Sequence, residues 1–590
     1  MPDGRNPQNP SQPAASSPEP PPPLPDAPGP VAAVPTTQRA AREFLRHEGG
    51  DQGRADPVAN ITIPGGSVTI TESAEELFTA IAPRRQLFYR GGVVVELVNE
   101  GEGYTVQVLD AVAAQSRFEK YVRFFKTTKV GERYMPTPTT ISETIAKQYL
   151  KSEACRNLLP KLNGVLHCPL LVEQDGQLHR VDQGYDEATG FFVAGAEPTD
   201  VVGLEDAVIF LSGLLNDFDF VTPGDRSRAI ASFLTPVLKL GGHIQGPVPV
   251  DVAEANASQS GKTYRQRMVA ALYNQRPAVV TKKAGGVGSM EEIFSDHLVK
   301  GRVFIQFDNV RGKLDSQYLE SFLTAEGTFP ARIPYHGTIT VDPSKFILFI
   351  SSNGFEATKD LTNRASIIRI RKRENYQFPV LNGKDILQLI FEWRSFLMGS
   401  VFTVVEEWHR RGKPRTAETH HDFKEWCQVL DWIVQNIFHE APLMEGHEAA
   451  KQRAANPNLS FLRVVAIKLN ERHRLDQEIT ASDMAELCLE DDIEIPGLSP
   501  ENQTTEQGPR QIGKMLGSLF GERPELIFDE FKVVRRQEWS RSEAGNSIAL
   551  NRYTFSLVNV ADAVQPTAPA VPTPETTPPP PPPPDAARPS

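Results

Sequence analysis

One short segment has the residue types and the spacing of a phosphate-binding loop. It fits the pattern GxxxxGK[ST] except at its first position, and it consists of Asn256, Ala257, Ser258, Gln259, Ser260, Gly261, Lys262 and Thr263. In such a loop, backbone N–H groups surround phosphate oxygens at the start of a helix, where the helix dipole also favours an anion. Lys262 is expected to reach the β and γ phosphates of ATP, and the Thr263 hydroxyl to bind Mg²⁺. Asn256 replaces the usual glycine, and asparagine tolerates a left-handed backbone.

A carboxylate for the metal follows farther along the chain. An apolar run ends at Asp308, 46 residues after Lys262, and an aspartate in that position can hold Mg²⁺ through water. The alternative is an ordinary turn residue at the end of a strand. Asn309 comes next, where a glutamate usually polarises the attacking water, and an amide cannot accept that proton. Either Asp308, Glu320 or Glu326 is then the base, or hydrolysis is slow.

Two more polar positions complete the predicted catalytic set. Asn353 ends a second apolar run, and its amide can orient water against the γ phosphate. Arg364 could reach the nucleotide of a neighbouring subunit as an arginine finger. A turn asparagine and a structural salt bridge are the respective alternatives. The predicted catalytic residues are Lys262, Asp308, Asn309, Asn353 and Arg364.

These residues require a parallel sheet to position them. The run VPVDVAEA, which begins at Val248, is typical of a buried strand and leads directly into the loop. Similar runs precede Asp308 and Asn353, with helical stretches between them. Alternating strands and helices imply a parallel sheet with helices on its faces. The sequence therefore predicts an α/β P-loop ATPase core over 201–375.

The rest of the chain divides into four further predicted segments. We expect an N-terminal α+β domain over 58–200, a helical segment over 376–457, and a winged-helix-like domain over 458–558. Proline-rich tails at 1–57 and 559–590 are predicted to be disordered, because they cannot bury enough apolar surface to offset the entropy of ordering. Within the α+β domain the pattern predicts a helix over 111–125 and a hairpin over 170–195.

The C-terminal tail carries a polyproline run, Pro578–Pro584. Such a run could dock an aromatic groove on a partner, and a solvated spacer is the more ordinary interpretation.

Composition excludes several classes of protein. The formal charge of −12 over 590 residues argues against a protein that is basic throughout, although a local basic groove is still allowed. The four cysteines show no CxxC pair, which favours buried reduced thiols over a zinc ribbon or a disulfide framework. With no signal peptide and no apolar run of about 18 residues, we expect a cytoplasmic protein without a membrane span.

The order and spacing of the motif residues resemble those of a known family. They are similar to the superfamily 3 helicase-like AAA+ ATPases of phages, plasmids and integrated elements, including primase-linked helicases. Gly184–Gly190 looks like the "GYD..TG" turn common upstream of that ATPase, and Phe423–Trp426 looks like its "F.eW" element. The resemblance covers about 165–440. Asn256 in place of glycine and Asn309 in place of an acid depart from the family pattern.

The resemblance implies a ring, commonly a hexamer, around nucleic acid, with ATP and Mg²⁺ bound between subunits. It also implies a hairpin that projects into the channel and moves DNA, here the segment Phe329–Val341, with Arg332 and His336 as contacts to DNA phosphates. The implied function is an ATP-dependent DNA helicase or replication motor of a mobile genetic element, with a primase as a possible partner. Two alternatives are an AAA+ switch acting on a protein partner and a DNA-binding protein with a degenerate ATPase core.

Other basic residues are candidates for DNA contact. Alternation along a strand puts Arg369, Arg371 and Arg373 on one face, which could meet phosphates or the acids of a neighbouring subunit. The recognition helix and wing of the last predicted domain would contribute Lys514, Arg535 and Arg536. An acidic run nearby leaves docking of a protein partner as the alternative for that domain.

Overall fold

The structure is a computed structural model of the chain. It describes residues 37–38, 42, 58–99, 103–195, 197–255, 260–281, 288–310, 312–333, 337–373, 376–380, 383–498, 502–541 and 547–558. These residues form two compact units. The smaller unit takes the described residues of Met1–Ala80 and Ala111–Ser152, and the larger unit takes those of Ile81–Asp110 and Glu153–Ser590. The division falls inside the segment 58–200, which the sequence analysis treats as one domain.

The secondary structure is numbered along the chain. The strands are β1 (Ala59–Thr62), β2 (Leu87–Arg90), β3 (Val93–Asn99), β4 (Tyr104–Val108), β5 (Val122–Val130), β6 (Arg133–Thr139), β7 (Gly164–Leu166), β8 (Leu170–Gln174), β9 (Gln177–Val181), β10 (Gly184–Tyr185), β11 (Phe191–Val193), β12 (Asp219–Phe220), β13 (Val250–Ala255), β14 (Ala278–Val280), β15 (Phe304–Val310), β16 (Lys313–Leu314), β17 (Phe329–Ile333), β18 (Gly337–Val341), β19 (Ile347–Ser352), β20 (Glu356–Ala357), β21 (Ala365–Arg371), β22 (Glu478–Ile479), β23 (Glu525–Phe528), β24 (Phe531–Arg541) and β25 (Ser547–Leu557). The α-helices are α1 (Ile70–Ile81), α2 (Ala111–Tyr121), α3 (Glu143–Leu150), α4 (Glu153–Leu158), α5 (Leu204–Gly213), α6 (Pro223–Leu240), α7 (Lys262–Leu272), α8 (Met290–Val299), α9 (Gln317–Thr324), α10 (Lys359–Asn363), α11 (Ile386–Glu392), α12 (Arg394–Arg410), α13 (Lys424–Asn436), α14 (His447–Ala454), α15 (Pro457–Glu471), α16 (Ala481–Glu490) and α17 (Gln507–Phe520). None of the helices in the described ranges has the length and apolar character that a bilayer crossing requires.

The smaller unit combines a three-stranded sheet, in the order β1-β5-β6, with helices. Phe118 of α2 packs edge-on against Phe78 of α1 and against Tyr149 of α3, with ring centroids 5.9 and 6.4 Å apart. The helix predicted over 111–125 is too long, since α2 ends at Tyr121 and the chain continues as β5. The reason is tertiary: Val122–Phe125 pair with β1, which overrides the local helical pattern.

The centre of the larger unit is a six-stranded sheet in the order β12-β21-β13-β19-β15-β14. All neighbouring pairs are parallel except β12 with β21 at the edge. Every residue of β13 and β19 is buried, as expected for strands covered on both faces. The parallel sheet predicted from the alternating pattern is therefore confirmed.

Helices cover the two faces of this sheet. Alternate residues of β19 point to opposite sides, so that Phe349 belongs to one apolar core and Leu348 and Ile350 to the other. The first core contains residues of α5, α6, α7, α11, α12 and α13. The second contains residues of α8, α9 and the β17–β18 hairpin. Both faces of the sheet are thus covered, and functional residues are expected at the ends of its strands.

The β17–β18 hairpin lies in sequence between β15 and β19. Its register runs from Phe329 opposite Val341 to Ile333 opposite Gly337, and residues 334–336 between the strands lie outside the described residues. The small antiparallel sheet β2-β3-β4 contacts it, because the Thr340 N–H donates to the Gly91 carbonyl oxygen at 2.9 Å. Gly91 has φ +55°, and a Cβ there would lie 2.1 Å from the Thr340 carbonyl oxygen, so only glycine fits this contact.

The last described part of the chain joins helices α15, α16 and α17 to an antiparallel sheet in the order β22-β25-β24-β23. Its own apolar core includes Leu462, Met484, Leu516 and Tyr553. Three helices followed by a hairpin agree with the predicted element order, and two short strands, β22 and β23, flank that hairpin. Assignment to the winged-helix class stays a prediction.

Candidate nucleotide-binding site

Helix α7 begins directly after Gly261, at the carboxyl end of the sheet. Gly261 has φ +89°, and a Cβ there would come 2.6 Å from Cζ of Phe378 and 3.0 Å from Cε1 of Phe218. Both the backbone and the space around it therefore require glycine. The first N–H groups of a helix have no partner within that helix, which leaves donors at this point. Residues 256–259 of the predicted loop lie outside the described residues.

Lys262 is the first residue of α7 and is 8% exposed. Its Nζ donates to Oδ1 of Asn353 at 2.6 Å. Burial lowers the pKa of Lys262, and the charge of Asp308 opposes that shift. A largely buried ammonium favours an anionic partner, and the buried Ser260 hydroxyl beside it has no hydrogen-bond partner among the described residues. These donors fit a phosphate group.

Asp308 lies on β15, two strands away from β13, the strand that precedes Lys262 in the sequence. Its Oδ1 accepts hydrogen bonds from Thr263 Oγ1 at 3.1 Å and from Ser351 Oγ at 2.7 Å. Hydroxyl and carboxylate oxygens are ligands that Mg²⁺ prefers, together with phosphate oxygens and water. Within the described ranges no group of three or more His, Cys, Asp or Glu is placed to hold a metal. A metal held by Thr263 and Asp308 would therefore take its other ligands from water and from the nucleotide.

Asn309 interrupts the regular pairing of β15. The register with β19 shifts between Phe307 and Val310, and Asn309 adopts φ +52°, a conformation that asparagine tolerates better than most residues. Its N–H donates to Ser351 Oγ at 2.8 Å, and the residue is exposed. The irregularity places Ser351 between Asp308 and the backbone of Asn309. Sequence reasoning assigned no role to Ser351, and the only available signal is a hydroxyl two positions before Asn353.

Polar residues beneath α7 fix it to three strands. Gln266 Nε2 donates to the Ile350 carbonyl oxygen at 2.9 Å and to Asp251 Oδ1 at 3.0 Å. Gln306 Nε2 donates to Gln266 Oε1 at 2.8 Å. Arg265 and Asp251 form a buried ion pair. Buried polar groups that are hydrogen-bonded hold a site rigidly. The sequence signal for Asp251 and Gln306 is a polar residue inside an otherwise apolar run, whereas Arg265 and Gln266 lie in a polar stretch of α7 that gives no such signal.

Arg364 lies at the opposite end of the strands from Lys262. The residue after it, Ala365, pairs with Val250, the first residue of β13, whereas Lys262 follows the other end of that strand. Five steps along β13 separate the two edges by roughly 16 Å. Arg364 donates to the Asp360 carbonyl oxygen at 3.1 Å, and no carboxylate in the described part of the chain forms an ion pair with it. Within one chain, Arg364 therefore does not meet Lys262.

Of the three candidate bases, one lies beside Lys262. Glu326 lines a cleft of about 760 Å³ at the amino ends of the strands, together with Arg364. The Glu320 carboxylate accepts a hydrogen bond from the Thr358 hydroxyl at the start of α10. Asp308 is thus the candidate that the fold brings to the phosphate-binding helix.

The expectation that Arg369 lies on an exposed basic face is wrong. Arg369 is 1% exposed, and its guanidinium contacts Oδ2 of Asp225 at 3.1 Å and Oδ1 of Asp529 at 2.7 Å. The cause is its position on β21, where an acid from α6 and another from the end of β23 cover it. Arg371 is half-buried at the strand end and donates to the Val221 carbonyl oxygen at 3.4 Å.

The other candidate DNA contacts differ in exposure. Arg332 on β17, Lys514 on α17 and Arg536 on β24 are exposed. Arg535 is half-buried: it donates to the Gly521 carbonyl oxygen at 2.9 Å, and its guanidinium lies 5.1 Å from the ring centre of Phe520. His336 lies outside the described residues. DNA contact by these residues stays a prediction.

The chain matches no protein-family model and no curated protein sequence. Among solved structures it is similar to the apo A form of the NrS-1 C-terminal region, residues 305–718, with 10% identity and a TM-score of 0.27, over 76% of this chain and 100% of that chain. It is also similar to SCCmec type IV Cch, an active helicase, with 11% identity and a TM-score of 0.29, over 78% and 90% of the two chains. The JCV helicase overlaps 43% of this chain and 65% of its own, with 12% identity and a TM-score of 0.19. Because these identities and TM-scores are low, we infer no function from the similarities.

Proposed function

We propose that the protein is a P-loop ATPase of the AAA+ type that acts as a motor on DNA. One observation carries the proposal: Lys262 at the start of α7 contacts Asn353, which follows β19, and Thr263 contacts Asp308, which lies in β15. Both strands belong to the parallel sheet that contains β13. A buried ammonium, a helix start and a pair of oxygen ligands for a metal meet there. This combination suits a nucleoside triphosphate with Mg²⁺ better than any other ligand.

Each residue has a distinct role in this proposal. ATP with Mg²⁺ would supply the γ-phosphoryl group and the positive charge that stabilises its transfer. Lys262 would hold the β and γ phosphates, and Thr263 and Asp308 would hold the metal. Asn353, whose Oδ1 accepts from Lys262 Nζ at 2.6 Å, would orient water beside the same phosphate. Asn309 cannot accept a proton, so Asp308 acts as the base through water, and we expect slow hydrolysis.

The proposal that the protein moves DNA rests on the β17–β18 hairpin and on Arg364. In the sequence the hairpin lies between β15, which carries Asp308, and β19, which precedes Asn353. This position suits an element that responds to the nucleotide, and the hairpin carries the exposed Arg332. Arg364 at the far edge of the sheet suits an arginine finger that completes the site of a neighbouring subunit. We therefore propose a homo-oligomer, a ring hexamer by family resemblance, that works as a helicase or replication motor of a mobile element, with a primase as a possible partner.

One observation favours a second candidate. The position after Asp308 is an exposed asparagine with a left-handed backbone, so the usual base is absent. An AAA+ switch, in which bound ATP controls assembly on a protein partner, needs binding at Lys262 and tolerates slow turnover.

ATP hydrolysis with and without single-stranded DNA separates these functions. We expect wild-type turnover that DNA stimulates, and a loss of about a hundredfold or more in Lys262→Ala, by analogy with the removal of one preorganised donor. Lys300→Ala is the matched control, because that exposed lysine pairs with Asp296 on α8, away from the site.

Three results would decide against the motor. ATP binding without turnover in the wild type supports the switch. DNA binding without any ATP binding supports a DNA-binding protein with a degenerate core. Equal turnover in Lys262→Ala and Lys300→Ala would refute the nucleotide site itself.

A further inference from the structure

A buried charge cluster connects the end of the phosphate-loop strand to the last part of the chain. It consists of Glu254, Arg369, Arg453, Arg463 and Asp529, whose side chains are between 0% and 3% exposed. Glu254 belongs to β13, two residues before the predicted loop, whereas Asp529 follows β23 in the C-terminal sheet. Charges this deeply buried are retained only when they are paired.

Asp529 is the point at which three arginines meet. Its Oδ1 accepts from Arg369 at 2.7 Å, and its Oδ2 lies 3.0 Å from Nε of Arg453 and 2.9 Å from Nε of Arg463. Burial disfavours the charged carboxylate, but the guanidinium groups of Arg453, Arg369 and Arg463 outweigh it and lower the pKa of Asp529 to about 2. Asp529 sits in the tight turn between β23 and β24 with φ +48°, so the backbone fixes where this charge is presented.

Two of these arginines, Arg453 and Arg463, also contact residues that flank the candidate nucleotide site. Arg453 pairs with Oε2 of Glu254, and Nη1 of Arg463 lies 3.2 Å from Oε1 of Glu254. Nη1 of Arg453 also donates to the carbonyl oxygen of Phe355, two residues after Asn353, at 3.0 Å. One guanidinium therefore contacts the C-terminal turn, the strand before the phosphate loop and the segment after the residue that contacts Lys262.

The charge balance predicts what happens when Asp529 loses its charge. Arg369 would keep Asp225, at 3.1 Å. Arg453 and Arg463 would keep Glu254 as their one shared ion-pair partner among the described residues. The charges of Glu530, near Arg463, and of Glu356, near Arg453, would compensate only part of the loss. Removing one partner of a buried pair leaves the other charge uncompensated. The strain would fall on Glu254 and on the Phe355 backbone, which flank the phosphate-binding helix.

We propose that Asp529 is a positioning residue for the nucleotide site: through Arg453 and Arg463 it holds Glu254 and the backbone at Phe355, so that docking of the C-terminal sheet sets the affinity for ATP. This inference rests on the proposed ATPase function. It adds that the C-terminal part of the chain controls the site, a link that none of the motifs in the sequence indicates.

Substitution of the carboxylate by an amide of the same shape tests the proposal in the full-length chain. In Asp529→Asn we expect the KM for ATP to rise about tenfold and kcat to fall, since changes along such a network alter coupling by that order. Simple destabilisation would reduce the folded fraction, and thus the apparent kcat, without moving KM. Asp476→Asn is the matched control, because Asp476 is an exposed aspartate of the same region with φ +63°.

Hydrogen exchange of the nucleotide-free protein separates this inference from the proposed function. We expect faster amide exchange at 250–255 and 353–357 in Asp529→Asn than in the wild type or in Asp476→Asn, whether or not the protein hydrolyses ATP. Wild-type hydrolysis that survives Lys262→Ala would remove the proposed function and leave the exchange result standing. Unchanged exchange at both segments, or a folded Asp529→Asn with the wild-type KM, overturns the inference.

Arg453→Lys provides a second variant in case Asp529→Asn does not fold. It keeps the positive charge, but a single ammonium cannot contact Asp529, Glu254 and Phe355 together. We expect the same rise in KM and the same local increase in exchange. A folded Arg453→Lys with the wild-type KM and wild-type exchange also overturns the inference.

Discussion

Replacement of Gly261 by alanine tests how tightly helix α7 is confined at its start. Gly261 adopts φ +89°, and the added Cβ would lie 2.6 Å from Cζ of Phe378, well inside contact distance. The Phe378 ring packs against Phe218 and Tyr264, with centroid distances of 5.2 and 5.1 Å. The substitution therefore strains the backbone and displaces an aromatic ring at the same time.

The two effects can be estimated separately. A left-handed backbone costs an L-residue about 1–2 kcal/mol. Displacing the Phe378 ring disrupts its contacts with the two nearest rings, Phe218 and Tyr264, each contributing about 0.5–1.5 kcal/mol, or about 1–3 kcal/mol together. We expect Gly261→Ala to lower the free energy of unfolding by about 2–5 kcal/mol, and to weaken ATP binding because Lys262 follows directly.

A double-mutant cycle with Phe378→Ala measures the ring contribution by denaturant unfolding. Without the Phe378 ring, Gly261→Ala should cost the backbone part and a small adjustment of Phe218, whose Cε1 would lie 3.0 Å from the new Cβ. The coupling energy should therefore be about 1–3 kcal/mol. Gly513→Ala in α17 is the control, because its Cβ meets nothing within 4 Å; a helical alanine there should stabilise by about 0.4–1 kcal/mol. Additive single effects, or a Gly261→Ala variant as stable as the wild type, would refute the reasoning.

Two further predictions concern the metal ligand and the response to pH. Thr263→Val removes the hydroxyl that donates to Asp308 at 3.1 Å. Steady-state ATP turnover with Mg²⁺ should fall about tenfold to a hundredfold, which is the equivalent of a hydrogen bond to a charged group. Thr263→Ser should keep most of the turnover, and equal rates in the two variants would contradict the proposed role of the hydroxyl. Burial lowers the pKa of His421 to about 4, below the value of about 6.5 for a free histidine. At this residue the unfolded chain therefore binds a proton that the folded chain does not as pH falls from about 6.5 to about 4. His421 alone should contribute a decrease of roughly 1.4 kcal/mol per pH unit to the free energy of unfolding in that window. Denaturant unfolding across this range should show a shallower slope in His421→Gln and an unchanged slope in the exposed control His473→Gln.

The strands that position the site were predictable because their signals are local. The apolar runs before the loop, before Asp308 and before Asn353 became β13, β15 and β19. β13 and β19 are buried throughout, and β15 is buried from Phe304 to Phe307. Parallel pairing then brings their carboxyl ends to one edge, which is why residues 45 positions apart, Thr263 and Asp308, form a hydrogen bond. Periodicity and a short motif suffice for this part of the molecule.

The remainder depends on contacts between distant segments. Alternation along β21 correctly groups Arg369 and Arg371 on one side, but it cannot indicate that Asp529, 160 residues later, covers Arg369. Nor does any local pattern show that Gln266 and Gln306 would meet beneath α7. Helix propensity failed after Tyr121 for the same reason, since pairing with β1 determines that stretch.

The close approach of Gly91 to Thr340 limits how the β17–β18 hairpin can swing. A movement of β18 must either break that backbone hydrogen bond or move the β2-β3-β4 sheet with it. In the second case the hairpin and the β2-β3-β4 sheet would move together. A bulky residue at position 91 would then separate the sheet from the hairpin without changing a residue of the hairpin.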